Sequence, residues 1–395
     1  MNKPIVIAGA GCCLVDQIYP DIDFSQPEVM KYMSRIEGDG GLHPGKLVFS
    51  KQFEAFAGKD LQASVEEISR NRTDPILNVG GPSIVALIHA SQLLLGTGAD
   101  VRFYGARGDD PEGEFLQSRL EKTPVKLERF KTSEGATPTT IVLSDPNFHG
   151  GHGERAFINN IGTAWKMGPE DLETGFFEAD VVIFGGTALV PKLHDHLTDL
   201  LREGKEAGCI TVVNTVYDFR NEMANPGRNW PLGKSDRSYG LIDLLITDLE
   251  EALHLSGETD MRAAGRYFKE KGVSAFLITR GTGDTLCYSD GRLFKPVPIG
   301  AYSVSSDLIR DLQAFQGGDT TGCGDNFVGG VLASLAWQVM RKEFKPDLEE
   351  CLAWGTVSGG YCCFHVGGTF LENEPGEKLK LIRPYYKKYM RQIHG

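Results

Sequence analysis

Short apolar runs that alternate with helix-like segments constrain the fold of this chain most strongly. Six runs read as strands buried on both faces, and their sequences are PIVIAGAG, DVRFYGARG, DVVIFGG, CITVVNT, LLITD and AFLITRG. Segments with helical patterns lie between them, and several end at glycine, a common residue after a helix. This alternation predicts an α/β fold with a doubly wound, mostly parallel sheet and helices on both faces.

The residues at the carboxyl ends of these runs indicate where a ligand would bind. Ligands in doubly wound sheets lie beyond the carboxyl ends of the strands. Each predicted strand runs into a small or polar residue there: Gly9, Gly105, Gly185, Asn214, Asp248 and Gly281. We therefore expect the functional site at this edge of the sheet.

Two segments interrupt the alternation. Residues 20–77 are polar, helix-like and poorly periodic, whereas residues 137–165 read as two strands around a turn rich in Gly, His and Asn. We interpret the second segment as part of a small β lid; the alternative is an edge hairpin packed on the core. The lid is assigned to elements within 14–50 and 137–165 of a single domain, 1–395. Residues 20–77 are expected either to enlarge the lid or to form an oligomer contact, such as that of a homodimer.

Composition narrows the classes of partner. The formal net charge of −12 argues against a broad nucleic-acid surface or an anionic membrane partner. No apolar run approaches the length of a membrane span. The eight cysteines include no CxxC motif, which favours reduced thiols in a cytoplasmic protein over a zinc site or a redox dithiol.

The stretch GGDTTGCGDNF, residues 317–327, carries the strongest chemical signal. Gly322 and Gly324 remove side chains where a loop becomes a helix, so backbone N–H groups and the helix dipole can bind an anion there. Asp325 stands beside this predicted anion hole and can take a proton from a hydroxyl that attacks phosphorus. From these residues alone, Asp325 is equally well interpreted as a helix N-cap.

The chain resembles the ribokinase/PfkB family of carbohydrate and nucleoside kinases. Its DTTGCGD sequence is similar to the family signature D-T-x-G-A-G-D, with Cys323 at the usual alanine position. Other segments resemble family motifs in the family's order, and they are VGGPSIVALIHASQLLLG, GARGDDPEGEFLQSRLEKTPV, DLEEALHLSG and TRGTGD. Together these segments span nearly the whole chain.

The resemblance implies an ATP-dependent kinase that uses Mg²⁺ and phosphorylates a hydroxyl of a sugar or related polyol. It implies a general base at Asp325 and an anion hole at Gly322, Cys323 and Gly324. It implies nucleotide contacts at Asp248, Thr279, Gly281 and Gly283, and substrate contacts at Asp16, Gly80 and Gly81. It further implies a water-mediated Mg²⁺ contact at Glu251 and a K⁺ site at Asp319 and Thr321. These roles would explain why two carboxylates occur in one short loop.

The residues themselves leave simpler interpretations open. Asp16 equally fits a surface turn, Gly80 and Gly81 fit a helix-entry turn, and Glu251 fits a solvated helix face. The chain also departs from the family pattern, because Val85 and Asp248 stand where asparagine is usual. Val85 removes a hydrogen-bonding group from the substrate pocket, and Asp248 adds negative charge near the nucleotide phosphates.

The substrate has several candidates. A nucleoside is the main rival to a sugar, and Trp165 is an aromatic residue near the lid that either stacks on a base or belongs to the core. A sugar phosphate would need extra cations, for which Arg107, Arg155 and Lys166 are candidates unless they are merely solvated. A non-catalytic protein that binds sugars or nucleotides is the alternative to an enzyme.

Overall fold

Strands of two sheets form the framework of the computed structural model, which describes residues 4–36, 38–70, 74–148, 153–315, 317–342 and 344–395. The strands of the described residues are β1 (Val6–Gly11), β2 (Leu14–Tyr19), β3 (Leu47–Phe49), β4 (Ile76–Gly80), β5 (Asp100–Arg107), β6 (Lys126–Thr132), β7 (Thr139–Asp145), β8 (Glu154–Asn160), β9 (Val181–Gly185), β10 (Ile210–Asn214), β11 (Leu244–Asp248), β12 (Ala275–Thr279), β13 (Thr285–Ser289) and β14 (Val297–Tyr302).

The main sheet has the order β14-β13-β12-β11-β10-β9-β1-β5-β6. Its strands are parallel from β12 to β6, whereas β13 and β14 are antiparallel at one edge. All six predicted strands lie in this sheet, so the predicted α/β architecture is confirmed. The strands β6, β13 and β14 were not predicted.

Helices cover both faces of the main sheet. The α-helices of the described residues are Pro27–Met30, Ser50–Ala57, Leu61–Ile68, Pro82–Leu93, Pro111–Leu120, Glu173–Phe176, Pro191–Asp195, Leu197–Glu206, Phe219–Ala224, Leu249–Ser256, Met261–Glu270, Ser306–Gln313, Cys323–Met340, Leu348–Cys362 and Glu377–His394. Successive side chains of β1 point to opposite faces of the sheet. Ile7 belongs to the buried apolar cluster on one face, and Val6 and Ala8 belong to the cluster on the other. Within the described residues, no helix combines the length and the apolar character needed to cross a membrane.

The second sheet forms the lid and has the order β3-β8-β7-β2-β4. The antiparallel pair β7 and β8 confirms the predicted hairpin, although its turn residues 149–152 lie outside the described residues. The predicted lid ranges were incomplete, because β4 (76–80) also belongs to this sheet. β4 pairs antiparallel with β2, which sets Asp16 opposite Asn78.

Residues 20–77 enlarge the lid in the structure. They contribute β3, which pairs with β8, and helices whose side chains pack against the lid strands. Phe53 and Val65 of these helices belong to the same buried cluster as Leu143 and Ile158 of the hairpin. The apolar burial of this segment therefore supports the lid, and a homodimer contact remains a prediction.

The direction in which the chain winds changes at β1. From β1 the chain continues outward through β5 and β6 on one side, and then through β9, β10, β11 and β12 on the other. Such a switch leaves a crevice at the carboxyl ends of the strands, where doubly wound sheets bind ligands. The lid strand β2 follows directly after β1 and so starts at this crevice.

Candidate active site

A cleft of about 240 Å³ opens between the lid and the carboxyl ends of β10, β11 and β12. Its polar lining includes Asp16, Thr140 and Asn159 from the lid, Asn214, Thr215, Tyr217, Thr247, Asp248, Glu250, Glu251 and Thr279 from the strand ends and the residues after them, and Thr321 and Asp325 from the glycine-rich loop. The sequence-predicted site residues that line the cleft are Asp16, Gly81, Asp248, Glu251, Thr279, Thr321, Gly322, Gly324 and Asp325. The fold therefore brings together the two motifs predicted to hold nucleotide and substrate.

The glycine-rich loop ends in a backbone conformation that favours glycine. Gly322 is the N-cap of the helix Cys323–Met340, with φ of 71° in the left-handed region. A Cβ atom at Gly322 would lie 2.4 Å from the Cα atom of Gly368, so the two backbones touch there. The N–H groups of Gly324 and Asp325 belong to the first helical turn, where no carbonyl of the same helix reaches them. They are available to an anion in the cleft.

Asp325 is the third residue of this helix rather than its N-cap, so the N-cap interpretation is wrong. Its carboxyl group lies in the cleft, where burial raises its pKa to about 7, while the charge of Arg155 opposes the rise. A carboxylate that is ionised near neutral pH and still retains basicity is suited to proton abstraction.

Asp16 is buried on β2, so the surface-turn interpretation is wrong. Burial raises the pKa of Asp16 well above its usual range, and the charges of Asp325 and Asp319 raise it further. Gly80 does not line the cleft but packs directly on Asp16, because a Cβ atom there would lie 2.2 Å from Oδ2. Gly81 has φ of 111° and begins the helix Pro82–Leu93 at the cleft.

Arg155 on β8 is the lid cation that acts on both carboxylates, because its charge lowers the pKa of Asp16 and of Asp325. Its side chain is only 17% exposed and pairs with Glu154 at 3.5 Å. Its guanidinium carbon also lies 5.5 Å from the ring centre of Phe157. The solvated interpretation is therefore wrong for Arg155, although it suits Lys166, which is exposed beside Glu134.

Asp248 and Glu251 form a capping box at the start of the helix Leu249–Ser256. The Asp248 Oδ1 atom accepts from the Glu251 N–H at 2.8 Å. The Glu251 Oε2 atom accepts from the Asp248 N–H at 3.3 Å and also from the Thr215 hydroxyl. Glu251 is 9% exposed, so it does not lie on a solvated helix face. Burial raises the pKa of Glu251 well above its usual range, and the charge of Asp248 raises it further.

The oxygen atoms around this capping box suit a magnesium ion. The Asn214 Oδ1 atom is buried and has no hydrogen-bond partner within the part of the chain that the structure describes. Asn214, Asp248 and Glu251 all line the cleft and supply amide or carboxylate oxygen, the ligand type that Mg²⁺ prefers. Mg²⁺ usually keeps several waters, so a water-mediated contact to Glu251 is compatible with this arrangement.

Asp319 and Thr321 leave two buried oxygen atoms that suit a monovalent cation. The Asp319 Oδ1 atom accepts from the N–H groups of Thr321 at 2.8 Å and Gly367 at 3.2 Å. Its Oδ2 atom and the Thr321 hydroxyl are buried without a hydrogen-bond partner among the described residues. Asp319 does not line the cleft, so such a cation would lie behind the anion hole.

Three other predicted residues lie outside the lining of the cleft. The Cys323 Sγ atom is 3.3 Å from the Cys363 Sγ atom, so only the backbone of Cys323 is suited to the anion hole. Gly281 and Gly283 form the turn after β12, where the Gly283 N–H donates to the Arg280 carbonyl at 2.7 Å. Thr279 is the residue of this motif that reaches the cleft.

The core interpretation of Trp165 is wrong, because its side chain is 51% exposed. Trp165 does not line the cleft but a neighbouring surface depression, together with Phe49 and Lys166. The aromatic rings of the cleft are instead Phe157, Tyr217 and Phe327, which sequence reasoning missed. Val85 is buried and does not line the cleft.

Thr140 and Asn159 were also missed. They lie opposite each other on β7 and β8, and the Asn159 Nδ2 atom donates to the Thr140 Oγ1 atom at 3.0 Å. The Asn159 Oδ1 atom is buried and has no partner among the described residues. No periodic signal in the sequence marks them, because the apolar residues Val142 and Phe157 lie next along the same face of the hairpin.

Comparisons with known proteins agree with this geometry. The model of the pfkB family carbohydrate kinases matches residues 77–374. A fructokinase of Vibrio alginolyticus is 27% identical over 325 residues, which cover 81% of this chain and 96% of that protein. An aminoimidazole riboside kinase of Salmonella typhimurium is 24% identical over 285 residues, which cover 69% of this chain and 79% of that protein.

Solved structures share the fold at low sequence identity. An adenosine kinase from Schistosoma mansoni in complex with adenosine superposes with a TM-score of 0.69 at 16% identity, covering 96% of this chain and 98% of that one. A ribokinase from Thermotoga maritima superposes with a TM-score of 0.62 at 14% identity, covering 97% of this chain and 99% of that one.

Proposed function

Because the chain belongs to the pfkB family of carbohydrate kinases, which transfer a phosphoryl group to an alcohol, we propose that it transfers the γ-phosphoryl group of ATP to a hydroxyl of a sugar or related polyol. The observation that carries this proposal is the position of Asp325, whose carboxyl group and first-turn N–H groups share one cleft with Asp16. The base, the anion hole and the acceptor site are then adjacent.

Asp325 acts as the general base. Its carboxylate takes the proton of the acceptor hydroxyl while that oxygen attacks the γ-phosphorus in line. The N–H groups of Gly324 and Asp325 hold the phosphoryl oxygens, with the backbone of Gly322 and Cys323 completing the anion hole. Arg155 offsets the negative charge that two carboxylates and a phosphate bring into one cleft.

The acceptor lies between the lid and the start of the helix Pro82–Leu93. Asp16, Asn159 and Thr140 supply acceptors and donors for hydroxyl groups, while Leu47 and Phe157 cover the apolar side of a sugar ring. The lid excludes water that would otherwise take the phosphoryl group from ATP. These residues suit a compact polyol, and the backbone of Gly81 lies at the same end of the cleft.

ATP lies along the carboxyl ends of β10, β11 and β12. Thr279 and the turn at Gly281 and Gly283 contact the nucleotide, and the capping box of Asp248 and Glu251 faces the phosphates. Magnesium held there would neutralise charge on the phosphate oxygens. Potassium held by Asp319 and Thr321 would stabilise the loop that forms the anion hole.

A nucleoside is the second candidate for the acceptor. Phe157 of the lid and Tyr217 of the body place two aromatic rings in the cleft, and an aromatic ring in such a position can stack on a base. The S. mansoni adenosine kinase complex with adenosine supports this candidate at the level of the fold. A sugar remains the preferred acceptor because the polar groups of the lid are amide, hydroxyl and carboxyl groups suited to several hydroxyls.

The cytoplasm is the proposed location. All eight cysteines carry free thiols in the structure, even where the Sγ atoms of Cys323 and Cys363 are 3.3 Å apart. Free thiols in such proximity are consistent with a reducing compartment.

Release of ADP in the presence of magnesium and potassium, measured across sugars, sugar acids, sugar phosphates and nucleosides, tests the proposed function. Phosphorus NMR of the product identifies the phosphorylated hydroxyl. We expect turnover with sugars or sugar acids, and turnover with nucleosides alone would favour the second candidate. Binding of ATP without turnover of any acceptor would favour a non-catalytic binding protein and contradict the proposal.

A further inference from the structure

Asn326 follows the proposed base, and its side chain points away from the cleft into the protein. It is 3% exposed, and its Nδ2 atom donates to the carbonyl of Gly322 at 2.8 Å and to that of Gly368 at 2.7 Å. Gly322 and Gly368 are the two residues whose backbones touch at the N-cap of the helix. The amide group of Asn326 therefore holds both sides of this contact.

The other end of the Asn326 amide is held by a histidine. The Asn326 Oδ1 atom lies 2.7 Å from the Nδ1 atom of His89. Because Oδ1 can only accept, His89 donates from Nδ1 and its Nε2 atom carries the lone pair. Nε2 is buried and has no partner among the described residues, so His89 makes its one side-chain hydrogen bond to Asn326. This bond fixes the orientation of the amide.

His89 belongs to the helix Pro82–Leu93, which starts beside Gly81 in the acceptor site. This helix crosses the helix Cys323–Met340 at Gly329, where a Cβ atom would lie 2.6 Å from the His89 Cβ atom. The two helices are in close contact at that point. The hydrogen bond between His89 and Asn326 therefore links the acceptor side of the cleft to the anion hole.

We propose that Asn326 is a positioning residue for phosphoryl transfer, which clamps Gly322 against Gly368 and, through His89, sets the anion hole relative to the acceptor helix. This inference rests on the proposed kinase function. Asparagine meets all these requirements because one side chain supplies two N–H donors and one acceptor. Aspartate would set a carboxylate oxygen against two carbonyl oxygens, and alanine would leave the Gly368 carbonyl and His89 Nδ1 without their partner.

The kinetic test compares Asn326→Ala with wild type. Displacement of reacting groups by about 1 Å can cost on the order of 10²-fold in rate, so we expect kcat to fall roughly 10- to 100-fold. KM for ATP and for the acceptor should change less than about threefold, because neither ligand touches this side chain. His89→Ala should lower kcat in the same way. His89→Asn, which keeps a donor near the Nδ1 position, should restore part of it.

Gln338→Ala is the matched control. Gln338 is a buried amide on the same helix, and it bonds to the Asp347 backbone at the end remote from the cleft. Its loss should lower the melting temperature by a similar amount while leaving kcat unchanged. If Asn326→Ala does not fold, the test is the comparison of kcat in His89→Ala and His89→Asn with kcat in the wild-type protein. Wild-type kcat in Asn326→Ala or, failing that variant, in His89→Ala overturns the proposal.

Hydrogen exchange separates this inference from the proposed function. Backbone amides of residues 318–327 should exchange faster in Asn326→Ala than in wild type or Gln338→Ala, whether or not an acceptor is known. If the amides of this loop exchange at the wild-type rate in Asn326→Ala, the proposal that Asn326 holds Gly322 against Gly368 is wrong. Absence of turnover in the wild-type protein would instead count against the proposed function alone.

Discussion

The Nζ atom of Lys46 in the lid lies 2.6 Å from the Oε1 atom of Glu250 in the body. Lys46 precedes β3, and Glu250 is the neighbour of Glu251 in the helix Leu249–Ser256. The Lys46 ammonium also lies 5.2 Å from the ring centre of Tyr217, which lines the cleft. This contact joins the segment 20–77 to the nucleotide side of the cleft, because Glu250 lines the cleft beside Asp248 and Glu251.

Lys46→Met should weaken closure of the lid. The ion pair is partly exposed, and such pairs contribute about 1 kcal/mol or less, so we expect the acceptor KM to rise by up to about fivefold. The change in kcat should be smaller, because the base and the anion hole are untouched. Steady-state kinetics check this, with Lys166→Met as the control for an exposed lysine near the lid. Equal acceptor KM values in the two variants would show that the ion pair between Lys46 and Glu250 does not help to close the lid.

Asp325 should set the acidic limb of the pH–rate profile. Its pKa is raised to about 7, so kcat/KM should fall about tenfold per pH unit below that value as the base becomes protonated. Arg155 lowers the pKa of Asp325, so Arg155→Met should move this limb to higher pH. Rates are measured from pH 5 to 9 in buffers of constant ionic strength. A limb that stays in place or moves to lower pH would refute the assignment.

The stability of the protein should depend on pH through the same carboxyl group. The pKa of Asp325 is about 7 in the folded protein and near its usual 3.8 in the unfolded chain, so the folded state binds the additional proton between these values. The free energy of unfolding contributed by Asp325 is therefore fully present below about pH 4 and is lost as pH rises through about 7. Asp325→Asn should melt several degrees above wild type at pH 8 and close to wild type at pH 4. A difference in melting temperature that does not vary with pH would contradict the burial of this charge.

Two oxygen atoms of Asp319 and Thr321, which find no hydrogen-bond partner in the described part of the chain, predict a dependence on potassium. The rate should fall several-fold when potassium chloride is replaced by tetramethylammonium chloride at equal ionic strength, because the larger ion does not fit a site this enclosed. Thr321→Val should lower the rate and remove most of this dependence. Thr320→Val, at the exposed neighbouring position, should retain both. A rate that is independent of the cation in the wild-type protein would exclude the site.

Apolar runs in the sequence predicted most strands of the main sheet. The features that they did not predict depend on pairing between segments that are distant in the sequence. The six predicted strands are continuous apolar runs, whereas β6 and β14 are partly exposed edge strands with no such signal. Asp16 was located after the first strand, but the sequence cannot show that β4 pairs beside it and sets Gly80 against its carboxyl group. The helix start was predicted within a few residues. The position of Asp325 in the first turn depends on the left-handed Gly322, which the sequence does not reveal.

Aromatic and cationic residues were the least predictable parts of the site. Trp165 and Arg155 occur in the same predicted hairpin, and only the packing of the lid brings Arg155 close enough to lower the pKa of Asp16 and of Asp325. Phe157 lies two residues after Arg155 on β8, yet its burial depends on β3, which comes from the segment 20–77. Contacts between distant segments of this kind carry no short-range signal.

The central claim is that Asp325 is the general base, and Asp325→Asn tests it most directly. The substitution keeps the size of the side chain and removes only its basicity. With the best acceptor found among the sugars, sugar acids, sugar phosphates and nucleosides, kcat should fall roughly 10²- to 10⁴-fold. The dissociation constant for ATP, measured by calorimetry on the same protein, should stay within about threefold of wild type. A variant that binds ATP normally and retains kcat within tenfold of wild type would contradict the account.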